Sequence, residues 1–219
     1  MFLAHFGAAM AARQVAPRPS LGTLILAAQW DDVIWPIFLL LGFEHVVIAP
    51  GVTAAVPLDF VSYPFSHSLA ADVIWAALFA AVYAWRTGDR RGAGWLAALV
   101  LSHWVIDALS HRPDVPVWPG GPVVGAGLWD HFAATVVIEL VALVAGAWIY
   151  SRATIARDRL GSVSFWAMVI VLAALYLASV LGPPPPGVTA LALTSLIGGL
   201  VLLAWAYWID RHRAPRAAL

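Results

Sequence analysis

Six long apolar runs dominate the hydrophobic pattern of the chain: roughly Gly22–Phe43, Tyr63–Trp85, Gly94–His111, Gly127–Tyr150, Val163–Leu181 and Val188–Ile209. Each is near the ~20 residues a helix needs to cross a bilayer. The stretches between them are short and firmly punctuated. TGDRRGAG and SRATIARDRLG are polar turns, PVWPGGPVVGAG is a Pro/Gly loop, and GPPPPG is a stiff linker through which no helix continues. A further apolar segment, Met1–Ala12, is too short to span, so the pattern predicts a short N-terminal interfacial or re-entrant helix there. No positive residue precedes it and Arg13 and Arg18 follow it, which does not fit a cleavable signal peptide. The expected fold is an all-α, polytopic membrane helix bundle of about six transmembrane helices. It forms a single integral membrane domain over residues 1–219.

The polar exceptions to this pattern come next. The segment SHWVIDALSHRPD, residues 102–114, sets His103, Asp107 and His111 at i, i+4 and i+8. On a helix each lies about 40° round from the last. Ionisable side chains inside a span are costly and mark functional sites. Counted along the helices, Asp31 and Asp32 fall near the midplane of the first run, and His103 lies at a similar depth in the third. Asp107 is one turn further out, and His111 reaches the outer edge beside Arg112, Pro113 and Asp114, where it closes a pocket mouth rather than binding metal. On the fourth run His131, Thr135 and Glu139 share a stripe, with Glu139 about 12–14 Å inward of the outer face. Pro36 cannot donate to the Asp32 carbonyl, which predicts a bend at that point. These features describe a polar pocket open to the outer face. Residues 1–150 carry it, and residues 163–209 supply two packing helices without charge inside the membrane.

Composition narrows the function classes. The chain is 62% hydrophobic and 11% charged, against about 25% charged in soluble proteins. A formal charge of zero gives no basic surface for nucleic acid. With no cysteine, disulfides, thiolate metal sites and a cysteine nucleophile are excluded, leaving any metal to His, Asp and Glu. Eleven of the twelve basic residues, all Arg, fall on one side of the predicted topology, and only Arg112 falls on the other. The positive-inside rule then puts both termini in the cytoplasm. Trp85, Trp95, Trp129, Trp148, Trp205 and Trp208 lie near run ends, as an interfacial belt requires. Asp89, Asp158 and Asp210 sit among the arginines, and His45 and His212 read as solvated loop residues.

Each candidate also has a plainer reading. Asp31–Asp32 fits a midspan pair sharing protons, and His103–Asp107 fits a structural bond between spans. Glu139 with His131 fits an interhelix pair, and His67 fits a helix-end histidine. Asp72 lies about 140° round from His67 and does not share its target. His5 falls on the arginine side unless the first segment re-enters.

Four segments, AHFGAAM, AAQWDDVIWP, SYPFSHSLAAD and SHWVIDALSHRPDVPVWPGGP, in this order over roughly Met1 to Tyr150, resemble a family of bacterial inner-membrane proteins described as membrane-bound metal-dependent hydrolases, distantly similar to zinc-dependent phospholipase C. The resemblance implies His5, Asp31, Asp32, His67, His103 and Asp107 as metal ligands; the chain departs from the family pattern in that its two aspartates are adjacent. The expectation is metal-assisted hydrolysis of an ester or phosphodiester in the membrane, on a lipid-linked or small-molecule substrate. The cofactor would be one or two divalent ions, zinc foremost, with manganese or magnesium as the other candidates. Glu139 or His131 would act as general base or orient a ligand. The competing expectation is a transporter, permease or proton-relay protein using the same acids and histidines. Against it stand the missing inverted repeat and polarity confined to four of six spans.

Overall fold

Helices dominate the ordered backbone, as the apolar runs require. The structure is a computed structural model describing residues 2–216. In chain order the helices are α1 (Leu3–Ala12), α2 (Leu21–Ala28), α3 (Trp30–Leu40), α4 (Leu69–Thr87), α5 (Arg90–Ser110), α6 (Phe132–Ala153), α7 (Arg159–Leu181) and α8 (Val188–Arg211). The last five are each long and apolar enough to cross a bilayer, and α2 with α3 makes a sixth, broken crossing bent by 56°. The result is an all-α, multi-pass membrane bundle.

The bend differs from the sequence expectation. It falls at Gln29, between α2 and α3, while Pro36 sits inside an unbroken α3. A helix breaks where its freed carbonyl finds another donor. At the end of α2 the Ala28 carbonyl accepts from the ring Nδ1 of His103, 2.8 Å away on α5.

Carboxylates define several helix starts. Asp89 accepts from Gly92 N at the head of α5 (3.1 Å), and Asp158 accepts from Gly161 N at the head of α7 (2.8 Å). Both belong to an Asp-Arg-Xaa-Gly sequence, an N-cap followed by helix. Asp210 reaches from α8 to accept from Leu21 N and Gly22 N at the head of α2. The three acids read as simply lying among arginines therefore tie the bundle's arginine-bearing end together.

The first helix is the larger surprise. It is not interfacial: α1 lies inside the bundle, with Leu3, His5, Ala9 and Met10 fully buried. Of the two expected placements, it takes the re-entrant one. It runs beside α6 in the same sense: Phe2 N and Ala4 N donate to the Glu139 carboxylate (2.9 Å each), and Gly7 packs on Ala142 and Gly146. A Cβ on Gly7 would run into the Ala142 carbonyl, and one on Gly146 into the backbone of Gly7, so the two glycines permit backbone contact. Arg13, just past α1, lies beside Arg152 of α6. The head of α1 is thus at the depth of Glu139, not at the arginine-bearing end where the sequence reading placed the N-terminus.

Short strands close the two ends of the bundle. β1 (His45–Ile48) and β2 (Leu58–Ser62) form an antiparallel hairpin, and β3 (Val115–Pro116) pairs β4 (Val123–Val124). At the arginine-bearing end β5 (Thr154–Ala156) pairs β6 (Arg213–Pro215). There Arg213 is buried between the rings of Tyr150 and Phe165 and bonded to Thr154 Oγ1 and the Gly161 carbonyl. The expected runs Tyr63–Trp85 and Gly127–Tyr150 begin instead as turns, with α4 starting after the cap Ser68 and α6 following a 3-10 turn at Leu128–Asp130.

Candidate metal centre

The centre is assembled by four elements, and each supplies its ligand for a local reason. α1 brings His5, held in depth by the Glu139 clamp on the backbone three residues and one residue before it. A carboxylate at a helix head satisfies N–H groups that have no intrahelical partner. The first turn of α3 brings Asp32. The turn before α4 brings His67, one residue ahead of the cap Ser68, whose Oγ accepts from Ala71 N. α5 brings His103 and Asp107, and His111, just past its end, caps the helix by donating its backbone N–H to the Asp107 carbonyl (2.8 Å).

The side chains converge on Asp107. Its Oδ1 lies 3.1 Å from His5 Nε2. Its Oδ2 lies 3.3 Å from His103 Nε2, 3.7 Å from His111 Nε2 and 3.8 Å from His67 Nε2. Asp32 Oδ1 is 3.6 Å from His67 Nε2 and 4.0 Å from His103 Nε2. The His5 and His103 rings stack at 3.7 Å with 2° between their planes. Two overlapping sets, His5–His103–Asp107 and Asp32–His67–His103, each bring one ligand atom per residue within 4.8 Å of the others.

The ring tautomers are fixed from behind. Since a carbonyl only accepts, His103 Nδ1 must be the donor to Ala28. The Ser66 hydroxyl donates to Glu44 Oε2 (2.6 Å), so its oxygen is left to accept from His67 Nδ1 (2.7 Å). Glu44 is buried, and its other oxygen takes Phe65 N and Ser66 N, 2.8 Å each. Asp114 accepts from His111 Nδ1 at 2.9 Å and from the Tyr63 hydroxyl at 3.0 Å. Three rings therefore have Nδ1 engaged from behind and turn Nε2 towards the same carboxylates. Nitrogen and carboxylate oxygens converging on one point need a proton or a metal cation between them, and imidazoles whose far nitrogen is held by a carbonyl or carboxylate are the usual supports of a metal ligand.

The spacing fits an ion of zinc's size. Ligands 2.0–2.1 Å from a tetrahedral centre are roughly 3.3 Å apart. The His5–Asp107 and His103–Asp107 separations of 3.1 and 3.3 Å match that edge, and the longer distances to His67 and Asp32 fit a wider or second position.

Above the cluster opens a cleft of about 180 Å³. Phe60, Trp129 and Trp35 wall it beside Asp32, His67, Asp107 and His111, with Tyr176 and Val180 of α7 on another side. Asp32 opens onto it, with 38% of its side-chain surface accessible. Trp129 is no belt residue: it is 7% exposed and its ring lies 3.9 Å from that of His111. α7 contributes wall residues as well as packing.

Of the sequence candidates, His5, Asp32, His67, His103 and Asp107 come together. Asp31 does not join either set; it interacts with Asp72, both carboxyls fully buried without a hydrogen-bond donor among the described residues. Glu139 borders the cleft, yet each of its oxygens is engaged by the α1 backbone. His131 is exposed at the head of α6 and pairs with neither the cluster nor Glu139. His111 is 2% exposed and belongs within the ring of histidines rather than at its mouth. Burial pulls its imidazole below the ordinary range, and burial with Asp114 holds the Tyr63 phenol well above its own. Sequence reasoning missed Glu44, Ser66 and Tyr63. The Glu44 contact closes only through the hairpin, so no local spacing announces it.

Compared with known proteins, the chain matches no family model, no curated protein and no solved structure.

Proposed function

We propose that the protein is a membrane-embedded, metal-dependent hydrolase of the inner membrane, with its arginine-bearing end cytoplasmic, acting on a lipid-linked ester or phosphodiester. The observation that carries this reading is the tautomer pattern: His67, His103 and His111 each have Nδ1 tied from behind and Nε2 aimed at Asp107. His5, Asp32, His67, His103 and Asp107 would hold one or two divalent ions, zinc being the best match to a buried nitrogen-rich donor set. A bound ion there supplies Lewis acidity and a water acidified towards pH ~7. His111 is neutral, faces the cleft and is oriented by Asp114, as a general base requires. The role first assigned to Glu139 or His131 therefore passes to it, and Glu139 keeps α1, and with it His5, in place. Support for a lipid-linked substrate comes from the turn carrying His67, whose Pro64 and Phe65 back onto an outward apolar groove of about 490 Å³ lined by Phe38, Ile74 and Trp75.

The test is elemental analysis of detergent-purified protein after zinc loading, with hydrolysis of short-chain phospholipids as activity. Stoichiometric metal that falls in His103→Ala and Asp107→Ala, with activity falling alongside, is the expected result. Wild-type protein that stays metal-free after loading overturns the proposal.

A second reading, an ion- or proton-coupled carrier, has one observation in its favour: the Asp31–Asp72 pair, which needs a proton or cation between its carboxyls. Substrate flux in proteoliposomes that Asp72→Asn abolishes, without hydrolysis, would favour it.

A further inference from the structure

At the end of the bundle opposite the cleft, a groove of about 570 Å³ runs between the tail of α1, the last turns of α6 and β6. Arg13, Arg152 and Arg216 line it, and no Asp or Glu does. The nearby acids are committed elsewhere: Asp210 to the head of α2, Asp158 to Gly161 and His212, Asp89 to the head of α5. Among the described residues, none of the three guanidinium groups makes an ion pair. Each is instead held by a neutral group. Arg13 donates from Nη1 to the Pro19 carbonyl, Arg216 donates from Nε to the Arg152 carbonyl (3.0 Å), and Arg152 lies 5.6 Å over the Trp148 ring. Arg13 is 6% exposed, and its Nε is buried with no hydrogen-bond partner. Three fixed like charges around one groove, one of them with an unused donor, are what an anion-binding site looks like before its anion.

We infer that this groove binds the phosphodiester head group of an anionic membrane phospholipid. The walls favour a lipid over a free ion. Trp148 is 60% exposed, and it continues the outward apolar stripe of α6 formed by Val141 and Val144, 60% and 61% exposed. Ile149 and Pro17 complete an apolar side facing the arginines. A phosphate seated between the guanidiniums would leave its glycerol and acyl chains along that stripe, with Trp148 at the head-group level.

The site is tested by native mass spectrometry of the full-length protein offered phosphatidylglycerol, phosphatidylcholine and inorganic phosphate in equal amounts. Phosphatidylglycerol is expected to be retained about tenfold over phosphatidylcholine. The preference should vanish in the R152Q/R216Q double variant, persist in R152K/R216K, and persist in R86Q/R90Q, which removes two charges elsewhere at the same end. Circular dichroism identifies any variant that fails to fold, and the Lys pair then carries the comparison with wild type at raised salt, which should erase the preference. Equal retention of the two lipids, a preference untouched by R152Q/R216Q, or displacement of phosphatidylglycerol by equimolar phosphate would each overturn the inference.

Discussion

Glu44 does not touch the cluster, yet its replacement by the isosteric glutamine should disable a ligand. In the native arrangement both Glu44 oxygens accept, so the Ser66 hydroxyl proton points to Glu44 and the Ser66 oxygen accepts from His67 Nδ1–H. In Glu44→Gln the amide oxygen keeps the Phe65 and Ser66 N–H groups, and the amide nitrogen then faces Ser66 Oγ. The hydroxyl must reverse, accepting from the amide and donating to His67 Nδ1. That moves the imidazole proton to Nε2 and removes the lone pair aimed at Asp32 and Asp107. Keeping the ligating tautomer instead leaves the buried hydroxyl proton without an acceptor, at about 1–3 kcal/mol. At 1.4 kcal/mol per decade this is roughly 5- to 140-fold in metal affinity, bracketing the 10–100-fold typical of lost outer-shell partners. Ser66→Ala removes the relay without forcing the wrong tautomer and should cost less. Zinc competition against a chromophoric chelator, at fixed pH and in one detergent, gives the three Kd values. The expected order of weakening is wild type, then Ser66→Ala, then Glu44→Gln. A Glu44→Gln Kd within threefold of wild type, in protein of unchanged melting temperature, would refute the relay.

Other expectations follow from the packing and caps. Gly146→Val should force α1 away from α6 by overpacking worth about 1–3 kcal/mol, read as a melting temperature several degrees lower, with zinc lost because His5 is displaced. Asp210→Ala removes an acceptor from two N–H groups at the head of α2 and should destabilise by about 0.5–2 kcal/mol in thermal melts; unchanged stability would mean that water serves those groups equally well. Asp158 is held below the ordinary carboxylate value of 3.8 by the His212 imidazole and by Gly161 N–H. Its contribution is complete above pH 3.8 and lost as pH falls further. Hydrogen exchange at residues 154–161 and 211–215 should therefore quicken below about pH 3.8, ahead of the bundle core, and Asp158→Asn should show the quicker exchange already at neutral pH.

Apolar run length was enough to place the crossings, because each helix must satisfy its own backbone in lipid. The SHWVIDALSHRPD register was equally legible, since i, i+4 spacing on one helix is a local property. What the chain did not show locally was anything settled by a second element. Pro36 looked like the bend, but the break went to Gln29 because His103 was there to take the Ala28 carbonyl. Adjacent aspartates looked alike, yet successive residues on a helix point about 100° apart, so Asp32 faces the histidines and Asp31 faces Asp72. Glu139 had the depth of a general base, and only the arrival of α1 gave it two backbone N–H groups to hold.

That arrival has a consequence for how the protein is made. At ten residues, α1 is too short to insert by itself, and its docking surface is on α6, whose last residue Ala153 follows Ala12 by about 140 residues. At 5–20 residues per second, roughly 7–28 s of synthesis separate the two. A helix made well before α6 thus waits for it, and the nest of histidines stays incomplete until the Glu139 clamp exists to receive α1. A nascent chain stalled before α6 holds His67, His103 and Asp107 with His5 not yet clamped by Glu139, so assembly of the bundle itself times the completion of the ligand set.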